Sequence, residues 1–386
     1  MINEERLADT FLDLVRIDSI SREEAEICGK LKTIFEELGG EAFIDDAGSK
    51  VDGNCGNLIV HFPGKRDVPP LMLNAHMDTV EPGRGVTPIF ADGVFQSDGS
   101  TILGADDKSA VAILLEVLTA MHENGHPCGP VDVVLTVCEE IGLLGARHLD
   151  FSKIRATFGY ALDATDTEGI VVRAPSANRI EFTIHGRDAH AGAAPEKGIS
   201  AIAIAGRAID GLALGRLDRE TTCNIGIIRG GLAHNIVPSK VEICAEARSH
   251  DEDKLAAVTE RMVSAFESAV EAFGGGSGIE EPRLETRVER DFTRTHIADD
   301  HPVLALARRA GQNLGREIAG KVTGGGADAN IFFEKGIVTG VLGTGMRDMH
   351  TVRENVRLSD MVRCAELVSE ILRVHAEGGA VHSSNG

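Results

Sequence analysis

The apolar positions of the chain change rhythm several times, and each rhythm predicts a different element. Over residues 4–18 they recur at Leu7, Phe11, Leu14, Val15 and, less regularly, Ile17, which is helical spacing. A second helix fits residues 23–38 and is stopped by Gly39-Gly40. Shorter runs follow: residues 56–62 read as a strand closed by Pro63-Gly64, and 71–75 as a buried strand. Gly104 opens an amphipathic helix through Ala112, Leu115, Leu118 and Met121. Apolar, strand-length runs return at 131–137, 156–162 and 336–343, and a helix over 358–374 closes the pattern.

Between these lies a segment with its own order. Residues 179–186 alternate like a half-exposed strand; a helix fits 199–214, strands fit 222–229 and 240–249, a long helix fits 252–273, and a last strand fits 284–292. The glycine-rich 274–278 breaks that last helix. This βαββαβ order is the split-βαβ, ferredoxin-like sandwich. The reading is therefore an α/β domain, residues 1–176 and 296–386, carrying an inserted α+β domain, residues 177–295.

The strand ends carry the chemistry. His76 and Asp78 stand two apart where the 71–75 run ends, which puts both side chains on one face if the strand continues. Glu139 and Glu140 terminate the 131–137 run as neighbours, so one acid can hold a cation while the other handles a proton. Asp163 ends the next run, and His350 lies in the glycine-containing loop after 336–343. Asp106 and Asp107 begin the 104–121 helix, where an N-cap with acids matched to the helix dipole is an alternative to a metal ligand. Singly, each motif suits a structural role. Together they matter more, because open α/β sheets bind ligands beyond the carboxyl ends of their strands.

Length and charge narrow the function. A chain of 386 residues exceeds one ordinary core, in keeping with two domains. A net charge of −21 leaves nothing to neutralise phosphates, which excludes nucleic acid and anionic membrane surfaces as partners. Seven scattered cysteines without a CxxC pair exclude a cysteine zinc site and a disulfide framework. The polar start Met1-Ile2-Asn3-Glu4-Glu5-Arg6 lacks a signal-peptide core, and no apolar run approaches the roughly 20 residues of a membrane helix. A cytoplasmic protein is expected, with a disordered tail after Gly378.

His76-Met77-Asp78, Gly104-Ala105-Asp106-Asp107-Lys108, Glu139-Glu140, Asp163, His190-Ala191-Gly192 and His350 occur in the order of the M20 metallopeptidases, and the chain resembles the peptidase T-like branch of that family along nearly its whole length. The resemblance implies a zinc-exopeptidase-like catalytic domain, with a mixed sheet flanked by helices, holding two Zn²⁺ bridged by Asp106 and a water; Co²⁺ or Mn²⁺ could substitute. His76 and Asp163 would complete one site, Glu140 and His350 the other. Asp78 would orient His76, and Glu139 would be general base and acid. The inserted domain would be a dimerisation or lid domain, with His190 reaching a partner's active site in a homodimer. Candidate substrate contacts are Asn235, Arg248 and Asn330, although His190 and Asn235 also suit ordinary loops and Arg248 a strand-end ion pair. His61 and Asp107 read as structural. The family's Arg-Gly-Gly-x-Asp motif becomes Thr323-Gly324-Gly325-Gly326-Ala327-Asp328, so Gly324 stands where an arginine would hold a substrate carboxylate. The expected reaction is aminopeptidase action on small peptides. The alternatives are an N-acyl amino acid deacylase or carboxypeptidase-type amidohydrolase, and a metal-binding dimeric scaffold without turnover.

Overall fold

The computed structural model describes residues 2–125, 128–273 and 282–378. The glycine break at 274–278 and the tail after Gly378 lie outside the described residues. The chain divides into two units. The larger comprises Met1–Arg173, Thr295–Val322 and Ala327–Gly386, the smaller Ala174–Arg294 and Thr323–Gly326.

The larger unit is built on a nine-stranded mixed sheet. Its centre is four adjacent parallel strands, in the order Val131–Thr136, Leu71–His76, Phe158–Ala164 and Val338–Gly343. Parallel strands buried on both faces need near-continuous apolar runs, and the first two of these are buried at every position. Leu58–Phe62 adds antiparallel on one side, followed by the edge strand Glu41–Ile44, while Gly169–Ala174 pairs antiparallel with Val338–Gly343 on the other. In register, His76 lies opposite Thr136 and Gly343 opposite Ala164, so the four strands finish along one rim.

The helix Ala105–Asn124 packs against this sheet beneath the helices Glu4–Val15 and Leu358–Ala376. It reads as amphipathic in sequence, yet it is buried almost all round, because those two helices cover its outer side. Beyond its first turn it buries one acid, Glu116, which is satisfied by the Arg6 guanidinium (2.6 Å) and the Asn3 amide (2.7 Å). The N-cap expectation for its first turn is overturned. Gly104 stands at the cap with φ +78°, a left-handed backbone that suits glycine, and neither Asp106 nor Asp107 has helical φ/ψ.

In the smaller unit a wholly antiparallel sheet runs Gly215–Arg216, Thr221–Gly230, Lys240–Ser249, Ser176–His185, Arg283–Phe292. Strand alternation turns Ile180, Phe182 and Ile184 into the core, where Phe182 stacks on Phe266 at 3.9 Å between centroids. The helices Ala201–Asp210 and Glu252–Phe273 bring the other half of that core. Among the described residues, the two-residue strand Gly215–Arg216 and the 3-10 turn Pro195–Lys197 are additions to the expected order. Thr323–Gly326 joins this unit from far along the chain: the Thr323 carbonyl meets His250 Nε2 at 2.9 Å.

Candidate metal centre

The parallel strands deliver four ligand-capable segments to one rim. His76 is the last residue of its strand. Its Nδ1 sits 3.0 Å from the Asp78 carbonyl oxygen and 3.3 Å from Asp78 Oδ1, which turns Nε2 toward Asp106 Oδ1 at 3.0 Å. On the far side of Asp106, Oδ2 lies 3.3 Å from His350 Nε2, and that same nitrogen is 3.0 Å from Glu140. Each oxygen of Asp106 thus faces a different imidazole. The ligand atoms of His76, Asp106 and Glu140 all fall within 4.8 Å of one another.

Glu139 and Glu140 sit just beyond their strand rather than on it. Cys138 adopts φ +52°, and this turn carries both acids off the strand. The Asp78 carboxylate holds the turn by accepting from the amides of Glu139 (2.9 Å) and Glu140 (3.2 Å) and from the Ser21 hydroxyl (2.6 Å). Gly145 is required just after it, since a Cβ there would come within 2.0 Å of the Val137 carbonyl oxygen. Asp107 Oδ2 accepts from the His76 amide at 3.1 Å, and His61 pairs with Asp132 at 2.8 Å.

The charges explain what these residues can hold. Burial pushes the carboxyls of Glu139, Glu140 and Asp163 up, with Asp106 adding to the shift at Asp163. At His76 burial opposes charge, but hydrogen bonds to Asp106 and Asp78 carry the imidazole well above its usual range. Hydrogen bonds to Asp106 and Glu140 raise His350 to about 10. Burial also opposes charge at Asp106, yet the two histidines hold it well below the ordinary carboxylate range. Four acids therefore crowd two imidazoles, and a set of carboxylate oxygens and imidazole nitrogens with this surplus of negative charge fits divalent cations.

Three further buried acids have no assigned role in the sequence reading. Glu24 Oε1 accepts from the Cys138 amide at 3.0 Å. Glu354, pushed by burial to about 7, meets three backbone amides ahead of the Ala105–Asn124 helix. Asp328, pushed by burial to about 6, accepts from the Thr136 hydroxyl at the strand end, and its charge reaches Glu139. Glu24 and Glu354 meet Cys138 and Leu103 from far away in sequence, so no local spacing marks them, while Asp328 stood in the quoted family motif without a role. Asn330 is buried, and its Oδ1 accepts from the Ala327 amide at 3.1 Å; it caps a helix, which takes its side-chain oxygen away from a substrate role.

His190 and Asn235 come together within the smaller unit, where the Asn235 carbonyl accepts from the Ala191 amide at 3.0 Å and His190 bridges to Ile236. His190 is exposed, and its Nδ1 accepts from the amides of Gly192 and Ala193 (3.1 and 3.2 Å). Arg248 pairs with Glu246 at 2.8 Å and lies over the Phe292 ring.

A two-unit α/β protein with His, Asp and Glu donors gathered at the rim of a parallel sheet is built as a metal-dependent hydrolase. The chain belongs to peptidase family M20/M25/M40, whose model matches residues 72–374, and it is a metallopeptidase that acts on peptide or amide bonds. It is 41% identical over 378 residues to the uncharacterised protein YqjE of Bacillus subtilis (strain 168), covering 98% of this chain and 100% of that one. Among solved structures it resembles the aminopeptidase PepT from Bacillus cereus ATCC 10987, with 41% identity, TM-score 0.84, and 97% and 99% of the two chains covered. It also resembles a tripeptidase from Staphylococcus aureus Mu50, with 39% identity, TM-score 0.89, and 98% and 100% covered.

Proposed function

We propose that the chain is a dinuclear, zinc-dependent aminopeptidase for short peptides. The observation that carries this reading is the placement of Asp106, which offers one oxygen toward His76 and the other toward His350 and Glu140. Such a carboxylate suits two cations about 3.5–4 Å apart. His76 and Asp163 would hold one ion, Glu140 and His350 the other. When bound, such a pair supplies a nucleophilic water at neutral pH and polarises the scissile carbonyl.

The remaining residues divide the proton work. Glu139, buried at the mouth of its strand with a raised pKa, takes the proton of the attacking water and delivers it to the departing amine. Asp78 fixes His76 and the Glu139–Glu140 turn together. In the smaller unit, two amide hydrogens donated to His190 Nδ1 leave the hydrogen of the neutral ring on Nε2. His190 is then a ready donor for the oxyanion of the tetrahedral intermediate.

The smaller unit has the strand order of a ferredoxin-like sandwich, and it supports a role as dimerisation lid. Gly215–Arg216 covers only Thr222 and Cys223 of the strand Thr221–Gly230. Beyond them, among the described residues, that strand pairs only with Lys240–Ser249, and it exposes Ile227 and Ile228. An open edge carrying apolar side chains suits pairing with a second copy. Seven unpaired thiols suit the reducing cytoplasm.

Similarity to an aminopeptidase and a tripeptidase supports peptides as substrates. Gly324, without a guanidinium for a substrate carboxylate, favours a second reading, the deacylation of N-acyl amino acids. Metal analysis joined to a substrate panel tests both. Two zinc equivalents and cleavage of tripeptides from the amino end are expected, with metal lost from His76→Ala and His350→Ala. Turnover of acyl amino acids alone would install the second reading, and metal without any turnover would leave only a binding scaffold.

A further inference from the structure

The loop that presents His350 is closed at its base, where Arg347 and Asn355 exchange two backbone hydrogen bonds of 2.9 and 3.1 Å. Inside it, Asp348 (φ +52°) and His350 (φ +60°) both adopt left-handed backbone, which residues with a Cβ disfavour. A loop of this shape needs an external hold. Glu354 stands at the base of the loop, 1% exposed, and directs its carboxylate into the turn that precedes the Ala105–Asn124 helix. Its Oε2 accepts from the amides of Leu103 (2.8 Å) and Gly104 (2.7 Å), and its Oε1 from the amide of Asp106 (2.9 Å).

The two segments joined in this way carry two different ligands. Asp106 begins at one of the three amides that Glu354 grips, and His350 lies four residues before Glu354 in the same closed loop. Their side chains meet at 3.3 Å. Both oxygens of Glu354 are committed to backbone, so its own carboxylate serves as a strut between the two ligand segments.

We infer that Glu354 is a positioning residue which locks the His350 loop onto the Asp106 turn and thereby sets the ligand separation at the His350–Glu140 side of the centre. This rests on the two-ion reading given above. His76 is fixed independently, by Asp78 and by its own strand, and keeps Asp106 Oδ1 at 3.0 Å, so loss of the strut, which frees the His350 loop, falls on the ion of that side. Glutamine at 354 keeps the shape but places an NH₂ group against backbone N–H donors, and aspartate keeps the charge but falls one methylene short.

The test is a Co²⁺ titration of metal-stripped full-length protein, read by calorimetry and by the visible d–d spectrum. In Glu354→Gln, one equivalent should bind as in the parent and the second about 10- to 100-fold more weakly, with a changed d–d band for that ion. Glu116→Gln, which removes a buried carboxylate remote from the loop, should lower thermal stability without moving either affinity. Glu354→Asp, retaining the charge, should show the same selective weakening and is read if Glu354→Gln fails to fold. Two unchanged Co²⁺ equivalents in a folded variant, or equal weakening of both, overturn the inference, as does failure of both Glu354 variants to fold, which would make Glu354 a stability residue. A parent that binds fewer than two equivalents sinks the two-ion reading itself, whereas a two-ion parent beside an unchanged variant sinks only the strut.

Discussion

Glu139 and Glu140 are adjacent in sequence but occupy different electrostatic positions. Glu140 is drawn to His350, while burial raises the Glu139 carboxyl, which suits the proton-carrying role proposed for it. Glu139→Ala should therefore retain both metal equivalents and lose roughly 10²- to 10⁴-fold in kcat, the range for removing a general acid–base. Turnover within about tenfold of the parent, at unchanged metal content, would remove Glu139 from the reaction. His76, Glu140 and Asp163 stood out because each follows an apolar run, where a carboxylate or imidazole interrupts the pattern, whereas Asp106 at a helix start and His350 in a loop were marked by the order of the family's motifs. Glu24, Asp328 and Glu354 were given no role, because burial of a lone acid is decided by partners that fold in from elsewhere: Glu354 meets Leu103 from 251 residues away. Asn330 misled for the same reason, since a buried cap and an exposed substrate contact look alike as an asparagine after a glycine run.

Among the elements, the central strands and most of the long helices were legible because their apolar periodicity is strong, although the helix Pro302–Asn313 was not read. The strand Lys240–Ser249 and the helix Glu252–Phe273 match their expected bounds. Glu41–Ile44 and the small three-stranded sheet of Pro88–Ala91, Val94–Ser97 and Asn355–Arg357 escaped, being short and mixed in polarity, and Asn355–Arg357 also takes its partner, Val94–Ser97, from far along the chain. The helix Leu358–Ala376 carries a titratable seam. His375 is buried, with Nε2 2.8 Å from the Pro69 carbonyl, and burial holds its imidazole below the usual range despite that bond. Below pH about 6.5 the unfolded chain takes up a proton that the folded helix resists, so the unfolded state binds more protons. Stability should fall as pH drops from about 6.5 until the folded-state pKa is passed, by at most about 1.4 kcal/mol per pH unit from this group. Denaturation of His375→Asn between pH 7 and 5 should give a shallower decline than the parent, and parallel declines would contradict the assignment.

At the scale of the whole molecule, the inserted order was readable because its strands alternate cleanly. That Thr323–Gly326 would group with the smaller unit was not, because a glycine run records nothing of its neighbours. The exposed pair Ile227 and Ile228 on the open edge makes a prediction about assembly. Light scattering should show a dimer for the parent and a monomer for Ile227→Lys combined with Ile228→Lys, with kcat reduced if His190 serves the neighbouring copy. A parent that is monomeric at micromolar concentration would discard the edge as an interface. The common rim of the four parallel strands has a temporal consequence as well. His76 leaves the ribosome long before His350, so a nascent chain that stops short of His350 lacks part of the proposed donor set. Cation capture then waits for the last strand to slot into the middle of the sheet, and the appearance of tightly held metal becomes a clock for finished folding.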